Sequence, residues 1–399
     1  MKTRKINCSG FAHYILPMAL FVVAVVIGTG YFVASHADTP TPTSSQTVLG
    51  WRSGSKSPSA VSGIPGTVVQ VSTSNAGGYA LTSTGQVWAW GANESGERGS
   101  GTTAPPTQAM TATQVIFPSG VTIASLPPVM PYDTGMAIDS NGDVWGWGHN
   151  AGSFTNKSFT PLCVPGTNIT KPVQLPFTNV TLAAGAGDHA IYDTNGVIQA
   201  CGDNNNGDLG NGSITGSNTP VTIVGLPNEP ISYLTASWGD SGAVMADGSY
   251  YNWGYNKQGQ LGDGTTKMGD VPVLVSLPAS VKQVAEGGSA GGNGQTIVLL
   301  SNGSVWTWGA NGSGQLGNGT LKQSQVPIVV TPPNGVTWKT VASGGESSYA
   351  IDTTGNLWGW GNSGDNTVVK NSETPIRIAG ATNLSQVSST ANVGETLGN

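Results

Sequence analysis

The sequence is poor in charged residues, cysteine and histidine. Of its 399 residues only 9% are Asp, Glu, Lys or Arg, and the formal net charge is −6. Proteins that bind nucleic acid need clustered Lys and Arg to contact phosphates, so this composition argues against a nucleic-acid partner. With 3 cysteines, 4 histidines and no metal-like cysteine spacing, it also argues against a zinc site, and we expect no cofactor. Glu, Lys and Leu are scarce, which excludes a helical bundle and a coiled coil.

Glycine and proline, in contrast, are abundant. The chain has 59 glycines and 24 prolines, well above the ~12% that the pair reaches in ordinary proteins. These residues favour turns, and the frequent Thr, Val and Trp favour strands. The hydrophobic share of 37% is enough for a buried core. The composition therefore predicts an all-β protein with many turns.

The N-terminal segment differs from the rest of the chain. Residues 1–14 carry three basic residues and no acidic one, and residues 15–34 are almost wholly apolar. As a helix, this apolar stretch measures about 30 Å, the thickness of a bilayer core. We interpret 1–14 as a cytoplasmic tail and 15–37 as a transmembrane helix or a secretory signal helix cleaved after Ala37. The Pro/Thr/Ser-rich run 38–46 is then a spacer, and both interpretations export the remainder of the chain.

From residue 47 onward a short aromatic motif recurs. The copies are Val87-Trp88-Ala89-Trp90-Gly91, Val144-Trp145-Gly146-Trp147-Gly148, Tyr251-Asn252-Trp253-Gly254, Val305-Trp306-Thr307-Trp308-Gly309 and Leu357-Trp358-Gly359-Trp360-Gly361. A sixth copy, Ile198-Gln199-Ala200-Cys201-Gly202, has lost the tryptophans. Successive motif glycines stand 52 to 57 residues apart. A period near 50 residues with several short strands per unit predicts a β-propeller, in which the large aromatics fill the gaps between sheets.

Further residues recur at fixed places around this motif. A two-residue turn such as Asn141-Gly142 or Asp247-Gly248 precedes each copy and predicts a type I′ hairpin. A glycine-rich turn follows, as in 259–264. A proline then opens the last strand of the unit, as at Pro272, which suits an outermost edge strand.

The combined pattern Ala-Leu/Ile-x-x-x-Gly-x-Val-Trp-x-Trp-Gly-x-Asn-x-x-Gly-Gln-Leu-Gly resembles the regulator of chromosome condensation repeat family. This resemblance implies a seven-bladed β-propeller over residues 47–399, in an exported bacterial member of the family. Six full units are visible, while 384–397 reads as a first half and 48–61 as a second half. We therefore expect one blade to be shared by the two ends of the chain, which would close the ring.

The resemblance leaves more than one function open. The nuclear eukaryotic member of the family is a guanine-nucleotide exchange factor for a small GTPase, whereas secreted bacterial relatives include an enzyme inhibitor. Export and an acidic charge oppose the exchange function, and none of its residues is carried over here. We predict an exported, membrane-tethered, monomeric propeller that binds a protein or glycan outside the cell and is not an enzyme. A small-GTPase exchange or regulatory factor, a secreted inhibitor and a propeller enzyme are the alternatives.

The loops before the inner hairpins are expected to ring one face of the propeller and to carry its binding residues. We predict this patch from aromatic and acidic residues, which are typical of contact surfaces: Asp188, His189, Trp238, Asp240, Glu286 and Glu346. Each also has a structural interpretation, since Trp238 suits packing between blades and Asp188-His189 suits a turn. No nucleophile, base and orienting residue can be combined into a catalytic set.

Two further features have open interpretations. Segment 203–208, Asp-Asn-Asn-Asn-Gly-Asp, hints at calcium, but its glycine is one position early for an EF-hand. The same register in other units favours a plain repeat turn, and we predict no metal. Cys163 and Cys201 both lie in the exported part, where a disulfide persists, but the sequence does not decide whether they pair.

Overall fold

The structure is a computed structural model that describes residues 47–399 except 53–55, 106–108, 151–158, 289–291, 363–368, 370, 390–392 and 399. The predicted tail, anchor or signal, and spacer (1–14, 15–37 and 38–46) lie outside the described residues. Within that described part every helix or strand element is a strand. It also holds no helix with the length and apolar character that a membrane crossing requires. The expected all-β class is confirmed for these residues.

The strands form seven four-stranded antiparallel sheets. Sheet 1 contains β3 (Val68–Thr73), β4 (Gly77–Thr82), β5 (Val87–Gly91) and β6 (Ala109–Gln114). Sheet 2 contains β7 (Ile123–Ser125), β8 (Thr134–Asp139), β9 (Val144–Gly148) and β10 (Ile169–Gln174). Sheet 3 contains β11 (Val180–Ala186), β12 (His189–Thr194), β13 (Val197–Gly202) and β14 (Ser217–Thr222). Sheet 4 contains β15 (Ile231–Ala236), β16 (Asp240–Met245), β17 (Tyr250–Gly254) and β18 (Gly269–Leu274).

The remaining sheets complete the ring. Sheet 5 contains β19 (Val281–Glu286), β20 (Gln295–Leu300), β21 (Val305–Gly309) and β22 (Ser324–Val329). Sheet 6 contains β23 (Trp338–Ser343), β24 (Glu346–Asp352), β25 (Leu357–Asn362) and β26 (Ser372–Arg377). Sheet 7 combines both ends of the described chain: β27 (Leu384–Ser389) and β28 (Val393–Gly398) pair with β1 (Val48–Arg52) and β2 (Ser59–Ala60). Six sheets are therefore continuous in sequence, and the seventh is the shared sheet expected from the split repeat.

The first strand of each sheet lies innermost, against the first strands of its neighbours. Strands β11, β15, β19, β23, β27 and β3 contact one another in that order. The bridge between Thr73 and Val129 and the bond from the Gly185 N–H to the Val129 carbonyl join sheet 2 to this ring. The β-propeller architecture is therefore confirmed.

The second tryptophan of each motif joins neighbouring sheets. Trp90, Trp147, Trp253, Trp308 and Trp360 are fully buried, whereas Trp88, Trp306 and Trp358 are half-buried. In three cases the indole N–H donates to a carbonyl in the glycine-rich turn of the preceding sheet. Trp147 donates to Glu97 at 2.9 Å, Trp253 to Asp208 at 2.9 Å, and Trp308 to Gln260 at 2.6 Å.

A disulfide takes the place of this tryptophan in sheet 3. Cys201 occupies the motif position of the buried tryptophans and is itself fully buried. It is bonded to Cys163, with 5.7 Å between the two Cα atoms. Cys163 lies in the β9–β10 connection of sheet 2, so this bond also joins a sheet to the one before it. The pairing that the sequence left open is therefore present.

The predicted type I′ geometry is wrong for most of the hairpins between second and third strands. Among the described turns, both residues have positive φ only at Asn195-Gly196, with 59° and 90°. At five others the glycine alone has positive φ, namely Gly85, Gly142, Gly248, Gly303 and Gly355. In one of these the Asp139 N–H donates to the Asp143 carbonyl and the Gly142 N–H to the Asp139 carbonyl. This is the pattern of a type I turn followed by a left-handed glycine.

The prolines expected to open the outermost strands lie inside them. Strand β18 begins at Gly269, three residues before Pro272. Its pairing with β17 shifts register between Asn252 and Gly254. Proline has no N–H to donate to the ladder, so it is tolerated where an irregular edge strand leaves that position unpaired.

Candidate functional site

The turns after the innermost strands converge at one end of the ring and surround a pocket. All seven sheets contribute to its lining. One lining residue from each sheet, in order from sheet 1 to sheet 7, is Asn75, Tyr132, Gly187, Trp238, Glu286, Gly344 and Ser389. The space between these residues is about 360 Å³ when open solvent is counted, but the part that water-sized molecules can occupy inside it is about 30 Å³. We call this pocket the channel mouth, and it lies where the inner loops were expected to ring one face.

Of the six residues predicted to bind a partner, Trp238 and Glu286 line the channel mouth. Trp238 is half-buried and packs edge-to-face on Tyr132, with 4.9 Å between ring centroids. Asp188, His189 and Asp240 are buried. A partner can therefore reach only part of the predicted patch directly.

The Glu286 carboxyl is buried at the end of β19. One of its oxygens accepts a hydrogen bond from the Tyr250 hydroxyl, while Oε2 has no hydrogen-bond partner. The side chain is only 4% exposed. Burial raises the pKa of this carboxyl to about 8, although interactions with the hydroxyls of Tyr250 and Thr235 act in the opposite direction. Burying a carboxyl that lacks a hydrogen-bond partner on one oxygen lowers the stability of the fold, so Glu286 is an unusual residue for this buried position.

Two further buried carboxyls extend this cluster: Asp240 interacts with Glu286, and Asp208 interacts with Asp240. The Ser237 hydroxyl donates to Asp240 Oδ1, but Asp240 Oδ2 and Asp208 Oδ1 have no hydrogen-bond partner. Burial raises the pKa of Asp240 well above its usual range, and the charges of Glu286 and Asp208 raise it further. Burial likewise raises the pKa of Asp208, with Asp203 adding to the rise. Burial therefore favours the protonated, neutral form of these carboxyls behind one side of the channel mouth.

The space for Glu286 is created by two departures from the repeat, which sequence reasoning missed. Gly242 stands where the corresponding strands carry Tyr79, Met136, Ile191, Ile297 and Tyr349. A Cβ on Gly242 would lie 2.5 Å from the Tyr250 hydroxyl and 2.7 Å from Glu286 Oε1. Tyr250 itself stands where other motifs have Val87, Val144, Val305 or Leu357. Comparing the units position by position would have revealed both departures.

Glu286 is also exceptional at its own position. At the matching register position, the innermost strands of the five other sheets that can be compared carry small uncharged residues: Thr73, Gly185, Ala236, Ser343 and Ser389. Only β19 ends on a carboxylate among these six strands. The repeat geometry does not require a charged side chain there.

His189 forms an unexpected pair with a serine of the next sheet. Its Nε2 lies 2.7 Å from the Ser241 hydroxyl oxygen, a separation typical of a nucleophile and its base. However, Ser241 is 0% exposed and its hydroxyl donates to the Asp208 carbonyl at 3.1 Å. His189 Nε2 is therefore the donor in its hydrogen bond with Ser241. Burial lowers the pKa of His189 to about 4, although the charge of Asp203 acts in the opposite direction. The pair therefore joins sheets 3 and 4 without exposing a nucleophile.

The remaining predicted residues lie away from the pocket lining. Glu346 is half-buried and accepts hydrogen bonds from the Asn293 amide at 2.8 Å and the Ser313 hydroxyl at 2.7 Å. Asp188 is buried in the turn that precedes β12, where its carbonyl accepts the Asp203 N–H at 3.0 Å. Both residues support loops in this arrangement.

Segment 203–208 forms a repeat turn organised by Asn204. The Asn204 amide donates to the Ser213 and Thr215 carbonyls at 2.9 and 3.1 Å and accepts the Leu209 N–H at 2.8 Å. Asn256 and Asn311 make the same three kinds of contact in sheets 4 and 5. Across the residues placed in the structure, no three His, Cys, Asp or Glu side chains are grouped to hold a metal ion.

Comparison with known proteins identifies the repeat. Residues 247–290 and 302–351 match the Regulator of chromosome condensation (RCC1) repeat, and residues 68–97 match a second form of it. The chain is 28% identical over 305 residues to the ultraviolet-B receptor UVR8 of Arabidopsis thaliana, covering 74% of this chain and 66% of UVR8. It is 27% identical over 307 residues to the mitochondrial RCC1 domain-containing protein RUG3 of the same plant, covering 71% and 63%. These alignments span less than two thirds of either relative.

Solved structures share the same architecture. Prp20p of Saccharomyces cerevisiae superimposes with a TM-score of 0.76 at 19% identity, covering 88% of this chain and 91% of Prp20p. Human WBSCR16 superimposes with a TM-score of 0.74 at 18% identity, covering 89% and 99%. At these identities the similarity establishes a common fold.

Proposed function

Since the chain belongs to the regulator of chromosome condensation repeat family, we propose that it is an exported, membrane-tethered propeller that binds a protein partner and catalyses no reaction. The observation that carries this proposal is the channel mouth. Turns from all seven sheets meet there around a half-buried tryptophan and a carboxyl with an unpartnered oxygen. Function in such scaffolds resides on loops that a rigid framework positions.

Relatives support a protein as the class of partner. The structural report on Prp20p describes its binding to Gsp1p and histones, and Prp20 has also been crystallised with Kap60 bound. We carry over only the class of partner. The described lining of the channel mouth contains no Lys, Arg or His, whereas phosphate binding depends on clustered basic residues, which again speaks against nucleic acid.

Export is supported by the N-terminal sequence and by the disulfide. The basic tail followed by 20 apolar residues has the pattern of an exported chain. The bond between Cys163 and Cys201 is of a kind that persists in oxidising compartments and is rare in the cytosol. A cytoplasmic exchange factor would require neither feature.

The absence of catalysis is supported by the site geometry. The one serine and histidine pair described above is buried, and its serine hydroxyl is engaged with a backbone carbonyl. The carboxyls around Glu286 are buried with raised pKa values. Ser237, a serine that lines the channel mouth, is buried and its hydroxyl is engaged with Asp240.

Site-specific crosslinking tests the binding function. A photoreactive phenylalanine replaces Trp238 in the full-length chain, and the matched control places it at Asp247. Asp247 is exposed in the β16–β17 hairpin of the same sheet, at the opposite end from the channel mouth. We expect a protein adduct from position 238 and none from 247. Equal adducts from both positions, a glycan adduct, or none from position 238 in producing cells would contradict the proposal.

Protease shaving of intact cells tests export and tethering. We expect the propeller to be removed from outside the cell and the undigested chain to fractionate with membranes with residues 1–37 attached. A soluble chain that starts at Asp38 would replace the tether by secretion and favour a diffusible inhibitor. A protected intracellular chain would contradict export and favour the GTPase-regulator alternative.

A further inference from the structure

Asparagine followed by glycine is the pair at which proteins deamidate most readily, and the sequence contains nine such pairs. In this reaction the backbone nitrogen of the glycine attacks the side-chain carbonyl carbon of the asparagine. Glycine favours the attack because it has no Cβ to hinder a close approach to its nitrogen. The backbone must rotate to bring the two atoms together, so hydrogen bonds that hold either residue oppose the reaction. The structure therefore distinguishes protected pairs from reactive ones.

Eight of the nine pairs are held by hydrogen bonds. In six of them the glycine N–H donates to a backbone carbonyl or to an aspartate side chain: Gly142, Gly196, Gly207, Gly212, Gly303 and Gly319. In the other two the asparagine side chain is fixed. Asn293 donates to Glu346 Oε1 at 2.8 Å, and the buried Asn311 makes three loop contacts. These eight pairs are therefore protected by the fold.

Asn334 and Gly335 form the ninth pair, and both are exposed in the connection between β22 and β23. Neither the Asn334 side chain nor the Gly335 N–H has a hydrogen-bond partner among the residues that the structure describes. Gly335 has a φ of 76°, and one described backbone bond crosses this turn, from the Val336 N–H to the Pro333 carbonyl at 3.0 Å. Little therefore opposes the rotation that brings the glycine nitrogen to the asparagine side chain.

We propose that Asn334 is a site of spontaneous modification, at which the chain loses ammonia and gains a carboxylate. The Gly335 nitrogen forms a bond to Asn334 Cγ, and the bond from Cγ to the side-chain nitrogen breaks. The departing nitrogen takes up the proton of the Gly335 N–H and leaves as ammonia, so a cyclic imide remains. Water then opens the imide at either carbonyl, which leaves aspartate or isoaspartate at position 334. Water is the only co-reactant, and no enzyme is required.

The position of Asn334 allows the product to persist in a folded chain. The β22–β23 connection lies at the end of the ring opposite to the channel mouth, where the β20–β21 hairpin also lies. Isoaspartate lengthens the backbone by a single atom, which an exposed connection tolerates at little cost in stability. The modified protein should therefore stay folded, carry an additional negative charge and keep its binding face. This inference is independent of the proposed binding function.

Incubation of the full-length chain in mildly alkaline buffer tests the proposal. Asn302 is the matched control, because it is also exposed and followed by glycine. However, the Gly303 N–H donates to the Leu300 carbonyl at 2.9 Å, and Asn302 Oδ1 accepts two hydrogen bonds from Ser304. Peptide mapping by mass spectrometry follows the replacement of the side-chain NH₂ by OH at each asparagine. We expect Asn334 to react about tenfold or more faster than Asn302, the effect of lacking one or two hydrogen bonds.

Two controls separate the effect of the fold from that of the local sequence. In the same chain denatured in guanidinium chloride, with the disulfide reduced, both asparagines should react at similar rates. Asn334→Gln replaces an exposed residue and should abolish the main acidic form seen on isoelectric focusing of the intact chain. Absence of modification at Asn334, equal rates at the two sites in the folded chain, a rate difference that persists on denaturation, or an acidic form that persists in Asn334→Gln would each overturn the inference.

Discussion

The disulfide between Cys163 and Cys201 allows a quantitative test of how neighbouring sheets are held together. The perturbation is the double substitution Cys163→Ala with Cys201→Ala. The bond closes a loop with a sequence separation of 38 residues, and the chain-entropy relation for a loop of this length gives about 4 kcal/mol of stabilisation. Both cysteines are buried, so the alanines also lose some packing. We therefore treat about 4 kcal/mol as the central expectation.

The expected shift in melting temperature follows from the size of the protein. Unfolding entropy near 60 °C is about 2.1 cal/mol/K per residue, or roughly 0.7 kcal/mol/K for a propeller of about 350 residues. The double variant should then melt about 5 °C lower than the parent chain. The assay is thermal unfolding followed by circular dichroism, with and without reductant. Reductant should lower the midpoint of the parent and leave that of the double variant unchanged.

Mass spectrometry supplies the independent control. Alkylation of the denatured parent chain should modify two more cysteines after reduction than before, because the chain has 3 cysteines and two of them are bonded. An unchanged increment on reduction would show that the bond does not form. A normal increment with identical melting of the parent and the double variant would refute the argument that this bond replaces the tryptophan contact between sheets.

Three other predictions address the turns and the channel mouth. Asn311→Ala removes a fully buried amide with three loop contacts and should lower the free energy of unfolding in urea by about 2–4 kcal/mol. The control Gln323→Ala changes an exposed residue and should alter the free energy of unfolding by no more than about 0.5 kcal/mol. Equal effects of the two substitutions would contradict the role of Asn311. Gly242→Ala should lower the free energy of unfolding by about 1–3 kcal/mol through overpacking. Adding Tyr250→Phe to this variant should recover part of the lost stability, because it removes the hydroxyl that the new Cβ meets. Strict additivity of the two effects would refute the steric explanation. Burial raises the pKa of Glu286 to about 8 in the folded chain from its ordinary value of 4.5. The folded chain therefore binds the proton more tightly than the unfolded chain, and its stability should fall as pH rises from about 5 to 8. In Glu286→Gln, urea unfolding at pH 5 and pH 8 should show a smaller fall, and an identical fall in both chains would contradict the raised pKa.

Much of the architecture follows from the sequence because the repeat is local. The motif around Trp308 and Gly309 places an apolar strand after a hairpin, and both are set by residues within one unit. The shared seventh sheet follows from two incomplete units at the chain ends, since a ring with a free edge would expose unpaired backbone. The disulfide is different, because pairing of Cys163 with Cys201 depends on how two sheets approach each other.

The turn geometry shows where local rules are insufficient. Asn141-Gly142 and Asn195-Gly196 have the same two residues, yet only the second has positive φ at both. In the first hairpin Asp139 accepts the Asn141 and Asp143 N–H groups, which stabilises a turn that is one residue longer. Asp193 instead accepts the Gly196 N–H. The two turn types therefore differ in the hydrogen bonds that the preceding aspartate accepts, and the Asn-Gly pair alone does not specify which turn forms.

The candidate site could be predicted only in part because its contacts cross between sheets. Tyr250 and Glu286 are 36 residues apart, and His189 and Ser241 are 52 apart. These pairs meet only when neighbouring sheets pack side by side in the ring. Sequence reasoning therefore identified Glu286 and Trp238 as residues of one face, but it did not identify Tyr132 or Tyr250, whose roles come from packing between sheets.

Two positions that differ from the repeat, Cys201 and Glu286, differ in whether the structure compensates for the change. At Cys201 the tryptophan is lost, but a covalent bond to the preceding sheet replaces its contact, so the architecture is preserved. At Glu286 the change has no such compensation, because a neutral residue satisfies the same position in other sheets and the carboxyl leaves one oxygen without a partner. Gly242 and Tyr250 accommodate this carboxyl at a further cost in packing. Buried carboxyls kept near the mouth of a central channel at a cost in packing are the kind of local inconsistency expected where residues serve function rather than stability.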